Sequence, residues 1–170
     1  MAAVLSLEDA GEQLLSLAAN ATESVILVAP FVKVAAISRV LQEIDSSVPV
    51  RLYTSWRPDI LVSGASDLDV WPLMEEREPA SVYLCNNLHA KCYVFDTEAA
   101  LGSANLTLSA LQWRPNPNLE LQILVPADQP EVKALMARLQ AVSRLAVRSE
   151  YEKLCDLVEE LKAVLPSPPP

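Results

Sequence analysis

Residues 24–29 (Ser-Val-Ile-Leu-Val-Ala) form a continuous β-branched and aliphatic run closed by Pro30, and this run constrains the fold more than any other stretch. A strand that is apolar at nearly every position must be covered on both faces, which puts it in the middle of a sheet between two layers. Ile37, Val40, Leu41 and Ile44 follow at helical spacing, and Pro49 precedes a second strand at 50–55. Strand, helix and strand of these lengths predict a β-α-β unit with parallel strands and a right-handed crossover. Ligands of such sheets bind beyond the carboxyl ends of the strands, where Trp56, Arg57, Pro58 and Asp59 lie.

The remaining pattern extends this unit. Ser6 is placed to cap a helix ending at Asn20, with Glu8 and Asp9 at its positive end and Leu7, Ala10, Leu14, Leu15, Leu17 and Ala18 on its apolar face. A short helix capped by Asp67 or Asp69 reaches Arg77, with Pro72 either in its first turn or kinking it, and Pro79 introduces a strand at 81–85. Asn86 and Asn87 make a turn, segments 89–95 and 99–102 a hairpin about Asp96, Thr97 and Glu98, and Asn105 the cap of a short helix through Leu111. A last strand is expected at 119–125. From Pro130 to Leu165 two helical stripes follow, Val132, Leu135, Met136, Leu139 and Val142, then Tyr151, Leu154, Cys155, Val158, Leu161 and Leu165. Ser149 and Glu152 fit a capping box between them, giving two helices or one kinked helix. Residues 1–165 thus read as a single domain, well supplied with core by a composition that is 51% hydrophobic, and 166–170 as a proline-rich disordered tail or linker.

The net charge of −9 argues against a long duplex footprint made by one chain alone, because affinity for phosphate backbones comes largely from Lys and Arg. The acids are concentrated at the ends, and residues 33–149 hold 11 of the 13 bases and carry only −2. A nucleic acid can approach that middle, with targeting left to a partner protein or fused domain. Cys85, Cys92 and Cys155 are odd in number and lack metal-ligand spacing, so a disulfide framework and a zinc site are both poor readings. With no cationic leader in the first residues and no apolar run of ~18 residues, the expectation is a cytoplasmic protein away from membranes.

Within that frame the stretch 88–105 carries the chemistry. His89, the only histidine, stands two positions from Lys91, so on an extended chain His89, Lys91, Tyr93 and Phe95 share one side and Ala90, Cys92, Val94 and Asp96 the other. An imidazole and an ammonium facing a Gly102-Ser103-Ala104-Asn105 turn make a trap for a phosphate oxyanion.

These residues resemble the HKD signature of the phospholipase D superfamily: His89-Ala-Lys91, four residues, Asp96, a short gap, then Gly102-Ser103-Ala104-Asn105. Five residues separate Asp96 from Gly102, one fewer than the usual family pattern, and we read this as a shortened hairpin turn. Asn118-Leu119-Glu120 is similar to the Asn-x-Glu that follows in bacterial members. The resemblance implies a three-layer α/β/α sandwich around a mixed, mainly parallel sheet, and a metal-independent phosphodiesterase with no cofactor. It implies that His89 is the nucleophile that forms a phosphohistidine, that Lys91 and Asn105 bind the non-bridging oxygens with Ser103 assisting, that Glu120 orients His89, and that Asp96 holds the hairpin. Trp56 and Arg57 are weaker candidates for stacking on substrate and pairing with its phosphate.

The family's reaction needs two histidines and this chain has one, so the resemblance implies a homodimer whose two motifs meet on a twofold axis. Among small single-motif chains the nearest analogy is a bacterial nuclease acting on DNA or RNA. The alternatives are a phospholipase or phosphatidyl transferase, which normally has two motifs in one chain, and a non-catalytic phosphate-binding module of a larger complex, such as one serving defence.

Overall fold

The computed structural model describes residues 4–6 and 9–164; the expected tail at 166–170 lies outside them, as do Leu7, Glu8 and Leu165. The β-α-β unit is present as β2 (Val25–Val28), α2 (Val34–Glu43) and β3 (Val50–Thr54), with β2 and β3 parallel and Val25 opposite Val50. Two short helices, α3 (Pro58–Val62) and α4 (Val70–Glu76), lead to β4 (Ala80–Leu84), which is parallel to β3. Pro72 does sit in the first turn of α4, where its missing N–H costs no helical hydrogen bond.

The chain then forms the hairpin β5 (Cys92–Phe95) and β6 (Glu98–Gly102), followed by β7 (Gln122–Pro126), α5 (Pro130–Val142), β8 (Arg144–Leu145) and α6 (Arg148–Val164). The described strands form one eight-stranded sheet in the order β1-β7-β6-β5-β2-β3-β4-β8, where β1 is Val4–Ser6. The sheet is mixed, as expected, but it is not mainly parallel. Only β2–β3 and β3–β4 are parallel pairings, and the other five are antiparallel. The hairpin places β6 beside β5 with opposite sense, and β7 and the edge strands β1 and β8 repeat that choice.

The core has two faces. On one, Leu14 of α1 (Ala10–Asn20), Ile37 and Val40 of α2, Met74 of α4 and Val158 of α6 pack on Val25, Leu27 and Leu52. On the other, Val132 and Leu139 of α5 cover Val28, Tyr53, Cys92 and Val94. Most of the α5 stripe (Val132, Leu135, Met136 and Leu139) and Tyr151, Leu154 and Val158 of the α6 stripe therefore face this core, whereas Val142 is exposed. Each fully buried aliphatic side chain contributes ~1.5–3 kcal/mol, and β2 supplies such side chains to both faces.

Two expected helix caps fail for tertiary reasons, and the two expected C-terminal helices are separated by a short strand. The first helix does not begin after Ser6: residues 4–6 pair with β7, and α1 begins at Ala10, whose N–H is taken by Gln112 Oε1 at 3.1 Å. The proposed capping box falls inside α6, since the helix starts at Arg148. Between α5 and α6 the chain is drawn into the sheet as β8, where Leu84 pairs with Arg144.

Candidate active site

The register puts the carboxyl ends of β2, β3, β4 and β6 and the amino ends of β5 and β7 on one edge. His89 and Lys91 reach that edge in the β4–β5 connection, Ser103 and Asn105 just after β6, and Glu120 just before β7. The alternation expected of a strand holds although β5 begins only at Cys92. Leu88, Ala90, Cys92 and Val94 belong to the α5 side of the core, and Tyr93 and Phe95 to the other. Apolar anchors on either side of the sheet thus fix the phase of His89 and Lys91.

The Gly-Ser-Ala-Asn turn is held from several directions. Gly102 lies against β7 so closely that a Cβ there would stand 2.1 Å from the Leu121 carbonyl oxygen, which excludes any side chain. The Ser103 N–H donates to Leu121 O at 3.0 Å, and the Leu121 N–H donates to Ser103 Oγ at 3.1 Å. From below, the buried Tyr93 hydroxyl donates to Ala104 O at 2.7 Å. Burial keeps this phenol well above its ordinary pKa, so it stays a donor through alkaline pH.

Asn105 does not cap a helix, and residues 108–112 form turns. Its Oδ1 accepts the Phe31 N–H at 3.3 Å, and the Lys33 N–H donates to Leu106 O at 2.9 Å, which ties the turn to the loop after β2. Because Phe31 N–H is a donor, the Asn105 oxygen is committed and the Nδ2 amide remains as its donor to an anion.

Glu120 is gripped by neutral donors. Asn118 Nδ2 donates to Oε1 at 3.1 Å, and the Ser103 hydroxyl donates to Oε2 in a short hydrogen bond. The Ser103 proton is therefore spent on Glu120. Glu120 makes no hydrogen bond to the His89 ring within this chain. Lys91 Nζ donates to the His89 carbonyl oxygen at 2.9 Å, a contact that fixes the main chain of the motif. Desolvation lowers the Lys91 pKa from the ordinary lysine value, and the nearby Glu120 charge opposes that shift. His89 itself is exposed.

Asp96 stands at the opposite end of β5 from His89. It occupies a two-residue turn at φ 50°, the tightest way to join Phe95 to its partner Glu98, and this accounts for the short spacing before Gly102. Its carboxylate accepts the N–H groups of Thr22, Glu23 and Ser24 and the Thr22 hydroxyl. Partial burial raises its pKa, and these four hydrogen bonds together outweigh that effect and lower it.

Trp56 follows β3 but is only 5% exposed and packs edge-on to Trp71 and beside Tyr151, so it belongs to the core and presents no face to a ligand. Arg57 is exposed, with its guanidinium on the Asp59 carboxylate at 3.1 and 2.9 Å. Neither joins the cluster around Lys91. Asn118 and the Tyr93 hydroxyl, both of which position the site, carry no local signal beyond the Asn-x-Glu spacing and an aromatic in a strand.

No protein-family model matches the sequence, and no curated protein matches it. Solved structures do resemble it. NucT from Helicobacter pylori superposes with a TM-score of 0.65 at 18% identity, over 83% of this chain and 94% of that one. Nuc from Salmonella typhimurium, described as a phospholipase D family member, superposes with a TM-score of 0.61 at 16% identity, over 85% and 96%. Phosphatidylserine synthase from Haemophilus influenzae gives 0.60 at 15% identity, with 95% of this chain matching 45% of that one. The α/β/α sandwich of this chain shares its fold with these structures, the phospholipase D family member Nuc among them.

Proposed function

We propose that the chain is a metal-independent phosphodiesterase that cleaves DNA or RNA through a covalent phosphohistidine at His89, with the site completed by a second copy. The observation that carries this reading is the convergence of His89, Lys91, Ser103, Asn105 and Glu120 on one sheet edge, with the Asn105 amide left as a donor. Lys91 and Asn105 take the non-bridging oxygens, and their charge and N–H dipole favour the negative charge that builds up there. His89 attacks phosphorus as the phosphorus–oxygen bond to the leaving strand breaks, and the partner's His89 gives its proton to the leaving oxygen. The same partner ring then takes a proton from water. The resulting hydroxide displaces His89 from phosphorus, leaving a phosphomonoester. Ser103 and Asn118 hold Glu120 at the edge of this site, ready to accept a ring N–H. Asp96 acts at a distance by closing the hairpin.

The dimer is supported by two features. There is one histidine per chain, and Leu119 (90% exposed) and Leu121 (46% exposed) flank Glu120 as apolar surface suited to burial against a second copy. The likeness to NucT and Nuc, at TM-scores of 0.65 and 0.61, supports nucleic acid as the substrate. No helix among the described residues is long and apolar enough to cross a membrane.

The test is to incubate wild type and His89→Ala with labelled single- and double-stranded DNA, RNA and phosphatidylcholine in EDTA. Nucleic-acid cleavage that vanishes in the variant supports the proposal. Lipid turnover would replace it with the phospholipase reading, and binding without cleavage with the silent-module reading.

A further inference from the structure

A cavity of about 530 Å³ opens beside His89, between the β4–β5 connection and the last turns of α5. That volume lies within the range of ~300–1,000 Å³ usual for small-ligand sites. Its floor is apolar, made by Leu88, Leu135 and Leu139. Its rim is polar, made by Asn86, Asn87, Arg138 and Arg144. In a chain with 22 acids and a net charge of −9, no acidic residue lines this cavity, whereas two arginines do. Arg138 is exposed and makes no ion pair among the described residues. Arg144 donates from Nη1 to Glu150 and retains the rest of its five donors.

We propose that this cavity is the subsite for the nucleotide next to the scissile phosphate. Arg138 and Arg144 hold that nucleotide's own phosphate, the leucine floor takes the face of its base, and the Asn86 and Asn87 carboxamides reach its polar edges. The proposal rests on the nuclease reading of His89 and deepens it by assigning where the flanking strand lies. An acyl chain is the less suitable occupant, since the arginines and asparagines would lose hydration to it without gaining partners. The floor contains no aromatic ring, so base contact is shallow and sequence preference weak.

The experiment uses the full chain carrying His89→Ala, so that binding is read without cleavage, and a fluorescent single-stranded oligonucleotide followed by anisotropy over a salt series. Arg138→Glu is compared with Arg138→Lys and with Arg51→Glu, which makes the same charge change on an exposed residue near the opposite edge of the sheet. The subsite predicts that Arg138→Glu raises Kd about tenfold and lowers the salt slope by about one. It further predicts that Arg138→Lys retains most of the affinity and that Arg51→Glu changes Kd by less than about twofold. Equal weakening by Arg138→Glu and Arg51→Glu overturns the subsite, as does binding of phosphatidylglycerol vesicles with no binding of the oligonucleotide. If the subsite pattern appears but unmutated protein cleaves nothing, the nuclease reading falls and the binding site stands. If unmutated protein cleaves and Arg138→Glu behaves like Arg51→Glu, the reverse holds.

Discussion

Replacing Asp96 by alanine removes the clamp that closes the far end of the β5–β6 hairpin. Oδ2 accepts Thr22 N–H at 2.8 Å and Thr22 Oγ1 at 3.2 Å, and Oδ1 accepts the N–H groups of Glu23 and Ser24, each at 2.9 Å. Three of the four bonds are at exposed positions, so each contributes at the low end, ~0.5–1 kcal/mol. Alanine at φ 50° adds ~1 kcal/mol of backbone strain. The expected loss is ~3–5 kcal/mol, which for a chain of this size lowers Tm by ~10 °C. Asp96→Asn tolerates the left-handed turn but presents an amide to two of the donors, and should cost ~1–2 kcal/mol. Urea denaturation followed by circular dichroism measures both. Because the folded pKa of Asp96 is lowered, its stabilisation is present in full above the unfolded carboxyl pKa of about 4 and is lost as pH falls through the folded value. The gap between wild type and Asp96→Ala should therefore be full at pH 7 and shrink below about pH 4. A difference under ~0.5 kcal/mol at pH 7, or one that does not change with acid, would refute the reasoning.

Two further substitutions probe the turn that presents Ser103 and Asn105. Gly102→Ala forces a Cβ to 2.1 Å from Leu121 O, so β6 and β7 must separate; thermal melts should show a loss of ~2–4 kcal/mol, and turnover should fall with the lost Ser103 contacts. Tyr93→Phe leaves the buried Ala104 carbonyl without its 2.7 Å donor, so denaturation should show a cost of ~1–2 kcal/mol and oligonucleotide assays a lower kcat as Asn105 loosens.

Much of the fold is legible because it is local. The runs in β2, β3 and α2 bury their side chains where their periodicity places them, and the alternation about Cys92 separates Leu88 and Ala90 from His89 and Lys91 before any strand hydrogen bond forms. The failures share a cause in long-range contacts. β1 and β8 are three and two residues long and exist only because β7 and β4 offer free edges. They add antiparallel pairings that make the sheet less parallel than the β-α-β signal implies. Asn105 has the chemistry of a helix cap, but the Phe31 N–H, 74 residues away in sequence, claims its oxygen. Trp56 sits where ligands bind in such sheets, yet Trp71 and Tyr151 bury it. Arg138 joins the His89 cavity from a helix 49 positions downstream, a placement that only the packing of α5 on the sheet creates.

The central claim is that one chain carries half a site, and mixed dimers test it directly. Wild type and His89→Ala chains are unfolded together, refolded in varying ratio, and assayed for nucleic-acid cleavage at constant total protein. If each site needs a histidine from both subunits, random pairing leaves about a quarter of the dimers with two at equal mixing, and activity should fall to about 25% of wild type. Activity of about 50%, linear in the wild-type fraction, would mean that a single His89 suffices and would contradict the account.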